Sequence, residues 1–199
     1  MAWPIIGRSF SPAEFEAYVS GLTWTDAFRP DGIVLHNTAS PCLANRPDGL
    51  TRQHIANLEG YYKNTCKWNG GPHLFIDDKV IWVFNDLTKR GTHSPSWNAS
   101  KLGIEMLGDF DKESFTDGRG LAVRRNAVAA MAILSNKLGF AADGFKFHIE
   151  DKRSDHACPG TKARAERAAL VAEIDTAMAG TPVAVAEADD DESHIDTKA

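Results

Sequence analysis

Short apolar runs closed by turn residues alternate along this chain with stretches of helical periodicity, and that alternation restricts the fold more than any other feature. Residues 32–36 (GIVLH) are apolar until the last position and read as a buried strand with His36 at its end. Residues 73–76 and 80–84 predict two strands of a hairpin around Asp77-Asp78-Lys79, and further strands are expected at 102–107 and 145–148. Between these runs lie the helices. Ser11-Pro12-Ala13-Glu14 has the pattern of a capping box with proline at the first helical position, so a helix should reach about Ser20. Residues 51–62 place Ile55, Leu58 and Tyr62 at helical spacing, the alanine-rich stretch 121–138 stops at Gly139, and a last helix is expected over 161–178, before Gly180. Residues 41–49 form a loop and 69–72 a turn by their Pro, Asn, Asp and Gly content. Strands interleaved with helices predict an α/β domain with a mixed central β-sheet flanked by helices.

A length of 199 residues suits one domain with its own core. The folded domain is expected over 1–180. Beyond it the composition turns acidic, with EADDDE at 187–192, and residues 181–199 read as a disordered tail. The net charge of -5 supplies no basic field for nucleic acid. No apolar stretch approaches the ~20 residues of a membrane span. The N-terminal residues lack the charged start, long apolar run and cleavage site of a secretory signal, so the expected location is the cytoplasm of the producing cell. Three cysteines, Cys42, Cys66 and Cys158, are an odd number, and without a signal they argue against a disulfide framework, although pairing of Cys42 with Cys66 stays open.

His36, His148 and Cys158 stand out from this background. Taken singly, a histidine at a strand end is most often a hydrogen-bonded structural residue, and a lone cysteine a small buried hydrophobe. Their contexts add weight. His36 closes an apolar strand, His148 closes another, and Cys158 lies in the turn Asp155-His156-Ala157-Cys158-Pro159-Gly160. Two imidazoles and a thiolate make a three-ligand zinc set that leaves a fourth position open, the arrangement of a catalytic site. The separations are long, and neither a CxxC nor an HExxH pair is present.

Four segments taken together resemble the zinc amidases of the phage-lysozyme and peptidoglycan-recognition-protein type, the amidase-2 family: IVLHNTA at 33–39, GGPHLFID at 70–77, SKLGIEMLGD at 100–109 and FHIEDKRSDHACPG at 147–160. The resemblance implies a mixed sheet with zinc at one edge, and His36, His148 and Cys158 as the Zn²⁺ ligands. Many phage members place a tyrosine before the histidine of the second segment; here that position is Pro72. The cytoplasmic recycling amidases use a glutamate in the third segment, which implies that Glu105 is the catalytic carboxylate. Two residues before the third ligand those relatives usually have lysine, where this chain has His156. A histidine can still donate to an oxyanion, but its charge depends on pH. In relatives the turn after position 93 lines the cleft, making His93, Trp97 and Asn98 candidate substrate contacts. His73 is expected to be structural, and His54 and His194 unremarkable.

The implied reaction is hydrolysis of the bond between N-acetylmuramic acid and L-alanine in peptidoglycan. Two roles follow. An endolysin would attack intact wall after a holin opens the membrane, and a recycling amidase would cleave soluble anhydro-muropeptides. Cys158 favours the first role, while Glu105 and the His148–Cys158 spacing favour the second; the overall expectation is an endolysin. A non-catalytic peptidoglycan-binding module is a third reading, which the presence of Cys158 disfavours. Polymerase inhibition, known for some phage amidases, has no sequence signature here.

Overall fold

The computed structural model describes residues 3–180, and the acidic run expected as a tail lies outside the described residues. The strands are β1 (Arg8–Phe10), β2 (Ile33–Asn37), β3 (Leu74–Ile76), β4 (Ile81–Val83), β5 (Leu102–Met106) and β6 (Phe145–Phe147). They form one six-stranded sheet in the order β1-β4-β3-β5-β2-β6. The run β3-β5-β2-β6 is parallel, whereas β4 pairs antiparallel with both β3 and β1. This is the mixed sheet that the sequence pattern predicts, including the hairpin between β3 and β4. Asp77 shapes that hairpin, its Oδ1 accepting from the N–H groups of Lys79 and Val80 at 2.8 Å each. The strand β2 is buried at every position, as a central parallel strand covered on both faces must be.

The helices are α1 (Pro12–Ser20), α2 (Arg52–Gly60), α3 (Gly118–Leu138), α4 (Thr161–Ala165) and α5 (Arg167–Met178). Ser11 and Glu14 close the expected capping box of α1. Helix α3 packs on the sheet and against α1 and α5. Its buried residues Val123, Ala127, Ala130, Met131 and Leu134 recur at three- and four-residue spacing, forming the apolar stripe that such a position requires. Arg124 is buried on α3 and donates to Glu166 and Glu173, tying α5 to it.

Four local expectations are corrected. Strand β1 carries too few residues to show a period and was not anticipated. The helix expected over 51–62 ends at Gly60 and continues as a π-helical turn at Tyr61–Thr65, in which the N–H of Cys66 reaches the carbonyl of Tyr61 at 3.0 Å. The last helix breaks at Glu166, which leaves helical geometry (φ -89°, ψ 12°) where its carboxylate meets Arg124. Strand β6 stops at Phe147, and His148 starts a 3₁₀ turn. All three cysteines are free, so Cys42 and Cys66 are not bonded to each other.

Candidate metal centre and active site

Parallel strands end together, so residues at their C-terminal ends meet along one edge of the sheet, where ligands of open α/β sheets are usually found. His36 near the end of β2 is the register partner of Glu105 on β5. Leu35 is paired with Phe147 on β6, which sets His148 beside His36 as the chain leaves the strand. The chain then loops back, and the N–H of Ile149 donates to the carbonyl of Cys158 at 3.0 Å. Gly160 ends this loop at φ +93°, where a Cβ would lie 2.7 Å from the carbonyl carbon of Phe110, so only glycine fits.

His36 Nδ1, His148 Nδ1 and Cys158 Sγ face one another. The two nitrogens are 3.0 Å apart, and the sulfur is 3.6 Å from His36 and 3.3 Å from His148. Bond lengths of about 2.1 Å to nitrogen and 2.3 Å to sulfur in a tetrahedral set would place such donors roughly 3.3–3.6 Å apart. The two sulfur–nitrogen sides have that length and the nitrogen–nitrogen side is a little shorter, and the three residues could hold a metal ion. The donor chemistry fits as well. Only one proton can sit between any two of these atoms, whereas a cation satisfies all three lone pairs together. Burial pushes the Cys158 thiol up to about 12, with a further upward push from Glu105. A neighbouring cation reverses that cost by deprotonating a coordinating thiol. Burial likewise lowers His148 to about 4 and holds His36 well below the usual histidine range, leaving both imidazoles neutral, the form that binds metals.

A relay of hydrogen bonds lies behind His36. His93 Nε2 is 3.1 Å from the carbonyl of Lys101, which can only accept, so this nitrogen carries the proton. His93 Nδ1, 3.2 Å from His36 Nε2, is then the acceptor. His36 donates from Nε2 and presents the lone pair of Nδ1 to the triangle. Gly103 makes the approach possible, because a Cβ there would stand 2.4 Å from the His93 ring. His73 lies deeper, with Nε2 donating to the Lys89 carbonyl at 2.9 Å and Nδ1 accepting from the Gly103 N–H at 2.9 Å.

Glu105 Oε1 is 3.9 Å from His36 Nδ1, with the carboxylate side chain only 16% exposed. Burial pushes its carboxyl up to about 8. His156 is exposed and stacks its ring on that of His148, centroids 4.8 Å apart. All these residues line a cleft of 1120 Å³. Pro72 lines it too, at the position where phage relatives carry tyrosine.

The structure therefore brings His36, His148, Cys158, Glu105 and His156 together. His93 and Asn98 also line the cleft, but each is engaged with protein groups. The two ring nitrogens of His93 face His36 and Lys101, and Asn98 Oδ1 accepts from the N–H groups of His93 and Ser94. Trp97 is not among the residues lining the cleft; its backbone N–H and carbonyl serve the turn from Ser94 to Lys101. Tyr61, Tyr62 and Trp68 form an aromatic wall of the cleft that the sequence reading did not anticipate, with Tyr62 stacked on Trp68 at 5.0 Å. The closeness of Tyr61, Tyr62 and Trp68 in the chain just after α2 was the available signal.

A family model described as N-acetylmuramoyl-L-alanine amidase matches residues 26–161. Among curated proteins, peptidoglycan-recognition protein 2 of Holotrichia diomphalia is 29% identical over 80 residues, which cover 39% of this chain and 42% of that protein. Peptidoglycan-recognition protein SC2 of Drosophila simulans is 22% identical over 132 residues, covering 64% of this chain and 67% of the relative. Among solved structures, the endolysin amidase LysCS from Clostridium intestinale superposes with a TM-score of 0.57 at 24% identity, over 76% of this chain and 92% of its own. Drosophila PGRP-LB does so with a TM-score of 0.59 at 17% identity, over 79% and 90%. At these identities the structural likeness is one of fold.

Proposed function

The chain belongs to the N-acetylmuramoyl-L-alanine amidase family, and from that premise we propose that it is a zinc-dependent peptidoglycan hydrolase that cuts the amide bond between N-acetylmuramic acid and L-alanine. The observation that carries this reading is the triangle of His36 Nδ1, His148 Nδ1 and Cys158 Sγ beside a buried carboxylate in an open cleft. His36, His148 and Cys158 would hold the ion, and zinc there supplies the Lewis acidity that polarises an amide carbonyl and activates water. Glu105 takes a proton from the attacking water and returns it to the leaving L-alanine nitrogen. His156, at the exposed mouth, donates to the oxyanion that develops on the scissile carbonyl oxygen. His93 holds His36 in the tautomer that leaves Nδ1 free, which makes it a positioning residue and not a substrate contact.

The substrate side of this reading draws on the relatives. A variant of PGRP-LB with this fold is known in complex with tracheal cytotoxin, and by analogy the cleft of this chain takes a muropeptide. The cysteine in the triangle favours a cutting enzyme over a module that only binds. We assign it the role of a phage endolysin that reaches the wall once a holin opens the membrane. No helix among the described residues is long and apolar enough to cross a membrane. The recycling alternative, supported by Glu105, requires a soluble anhydro-muropeptide to be cut much faster than intact sacculi, and offering both to one preparation separates the two.

The test of the metal centre is zinc analysis of the purified protein. One zinc per chain is expected in the wild type, with strong loss in His36→Ala, His148→Ala and Cys158→Ala. Retention of tightly bound zinc in all three variants would refute the assignment.

A further inference from the structure

Asp151 follows closely after His148 and is 1% exposed, yet it takes part in no ion pair among the described residues. A carboxylate buried without a counter-charge is costly unless hydrogen bonds satisfy its lone pairs. Here four do. Oδ2 accepts from Ser94 Oγ at 2.6 Å and from the Ser96 N–H at 2.9 Å. Oδ1 accepts from Ser96 Oγ at 2.5 Å and from the Arg153 N–H at 2.9 Å. Burial works to raise its pKa, but the hydrogen bonds from Ser94 and Ser96 prevail and hold it far below the usual carboxylate range. The group is therefore a charged acceptor at neutral pH.

Three of these four donors come from the turn that follows His93, 55–57 residues away in the chain. Asp151 itself sits in the loop that carries His148 and Cys158, where its N–H donates to the His148 carbonyl at 2.9 Å and its carbonyl accepts from the Ser154 N–H at 3.0 Å. Both segments contribute residues to the lining of the cleft. The first follows His93, the partner of His36; the second contains the remaining two donors of the triangle. No strand pairing joins them, because β6 has ended before His148 and residues 94–96 lie outside the sheet.

We propose that Asp151 is a positioning residue of the metal centre: its carboxylate locks the turn at 94–96 to the loop bearing His148 and Cys158, so that the three donor atoms stand at ion-binding spacing before an ion arrives. The proposal rests on the metal-centre reading above. An asparagine at 151 keeps the shape but not the function, since its NH₂ group would face serine and backbone donors without a lone pair to offer them.

The experiment measures zinc affinity by chelator competition in wild type, Asp151→Asn, the double variant Ser94→Ala/Ser96→Ala, and Arg124→Met. The last variant breaks the link between α3 and α5, away from the cleft, and controls for general destabilisation. Circular dichroism of the metal-free proteins checks folding. Asp151→Asn and the double serine variant should each bind zinc at least about tenfold more weakly, the loss expected when a group orienting metal ligands is removed. Their cobalt-loaded forms should show altered d–d bands, which Arg124→Met should not. If Asp151→Asn does not fold, the double serine variant decides, because it keeps the carboxylate and removes its two hydroxyl donors. Wild-type affinity in the folded variants, or an equal loss in Arg124→Met, would overturn the proposal. A wild-type protein that takes up no zinc would overturn the metal-centre reading itself, a distinct result.

Discussion

Glu105 stands 3.9 Å from the His36 imidazole in surroundings dry enough to push its carboxyl up to about 8. A base of that strength, beside a cluster of lone pairs, suits proton transfer near neutral pH. Replacing it with glutamine removes the proton acceptor without removing a zinc donor. Glu105→Gln should therefore keep a wild-type zinc content and lose turnover by about 10²–10⁴. An undiminished kcat in this variant would assign the proton transfer to another group. His36, His148 and Cys158 stood out in the sequence as polar residues at the end of an apolar run or in a turn, whereas Glu105, inside its strand, was singled out only by the family resemblance. The place of His93 behind His36 was not. It depends on a contact across 57 residues of chain and on the missing side chain of Gly103, neither of which has a local signature.

At the scale of elements, β5 shows how a strand sets up a site from behind. Gly103 lies two residues before Glu105, and its N–H donates to His73 while its bare Cα admits the His93 ring. Alanine there would put a Cβ at 2.4 Å from His93 Cγ and 2.8 Å from its Nδ1. Gly103→Ala should cost about 1–3 kcal/mol by overpacking and should loosen zinc binding by displacing the partner of His36. Denaturant unfolding and chelator competition on the same protein measure both; wild-type values would show that the relay tolerates displacement. The strands that carry the site were readable because central parallel strands are continuous apolar runs. What escaped is physically different. Strand β1 is too short to show a period, the π turn after α2 keeps helical composition while widening the turn, and the break at Glu166 coincides with a pairing to Arg124 from another helix.

For the molecule as a whole, a core built around neutral histidines ties stability to pH. Burial lowers His73 to about 4 and His93 to about 3. In the unfolded chain both take a proton below their ordinary value near 6.5, whereas the folded form binds it only at lower pH. Stability is therefore full above about 6.5 and falls as pH drops towards 4, with His73 alone contributing roughly 3 kcal/mol to that loss. Unfolding free energies of metal-free protein between pH 7 and 4.5 should show the decline, and His73→Gln should flatten it; an unchanged slope would mean that other groups carry the dependence. The mixed sheet and its flanking helices followed from alternation of runs along the chain, while the strand order arose from long-range pairings with no local trace in the sequence. The central claim is chemical, and it is tested by digesting purified sacculi with the zinc-loaded protein and identifying the new ends. New L-alanine amino groups without new reducing sugars are the predicted result; new reducing ends, or muramoyl–L-alanine linkages left uncut in both sacculi and soluble muropeptides after prolonged incubation, would contradict it.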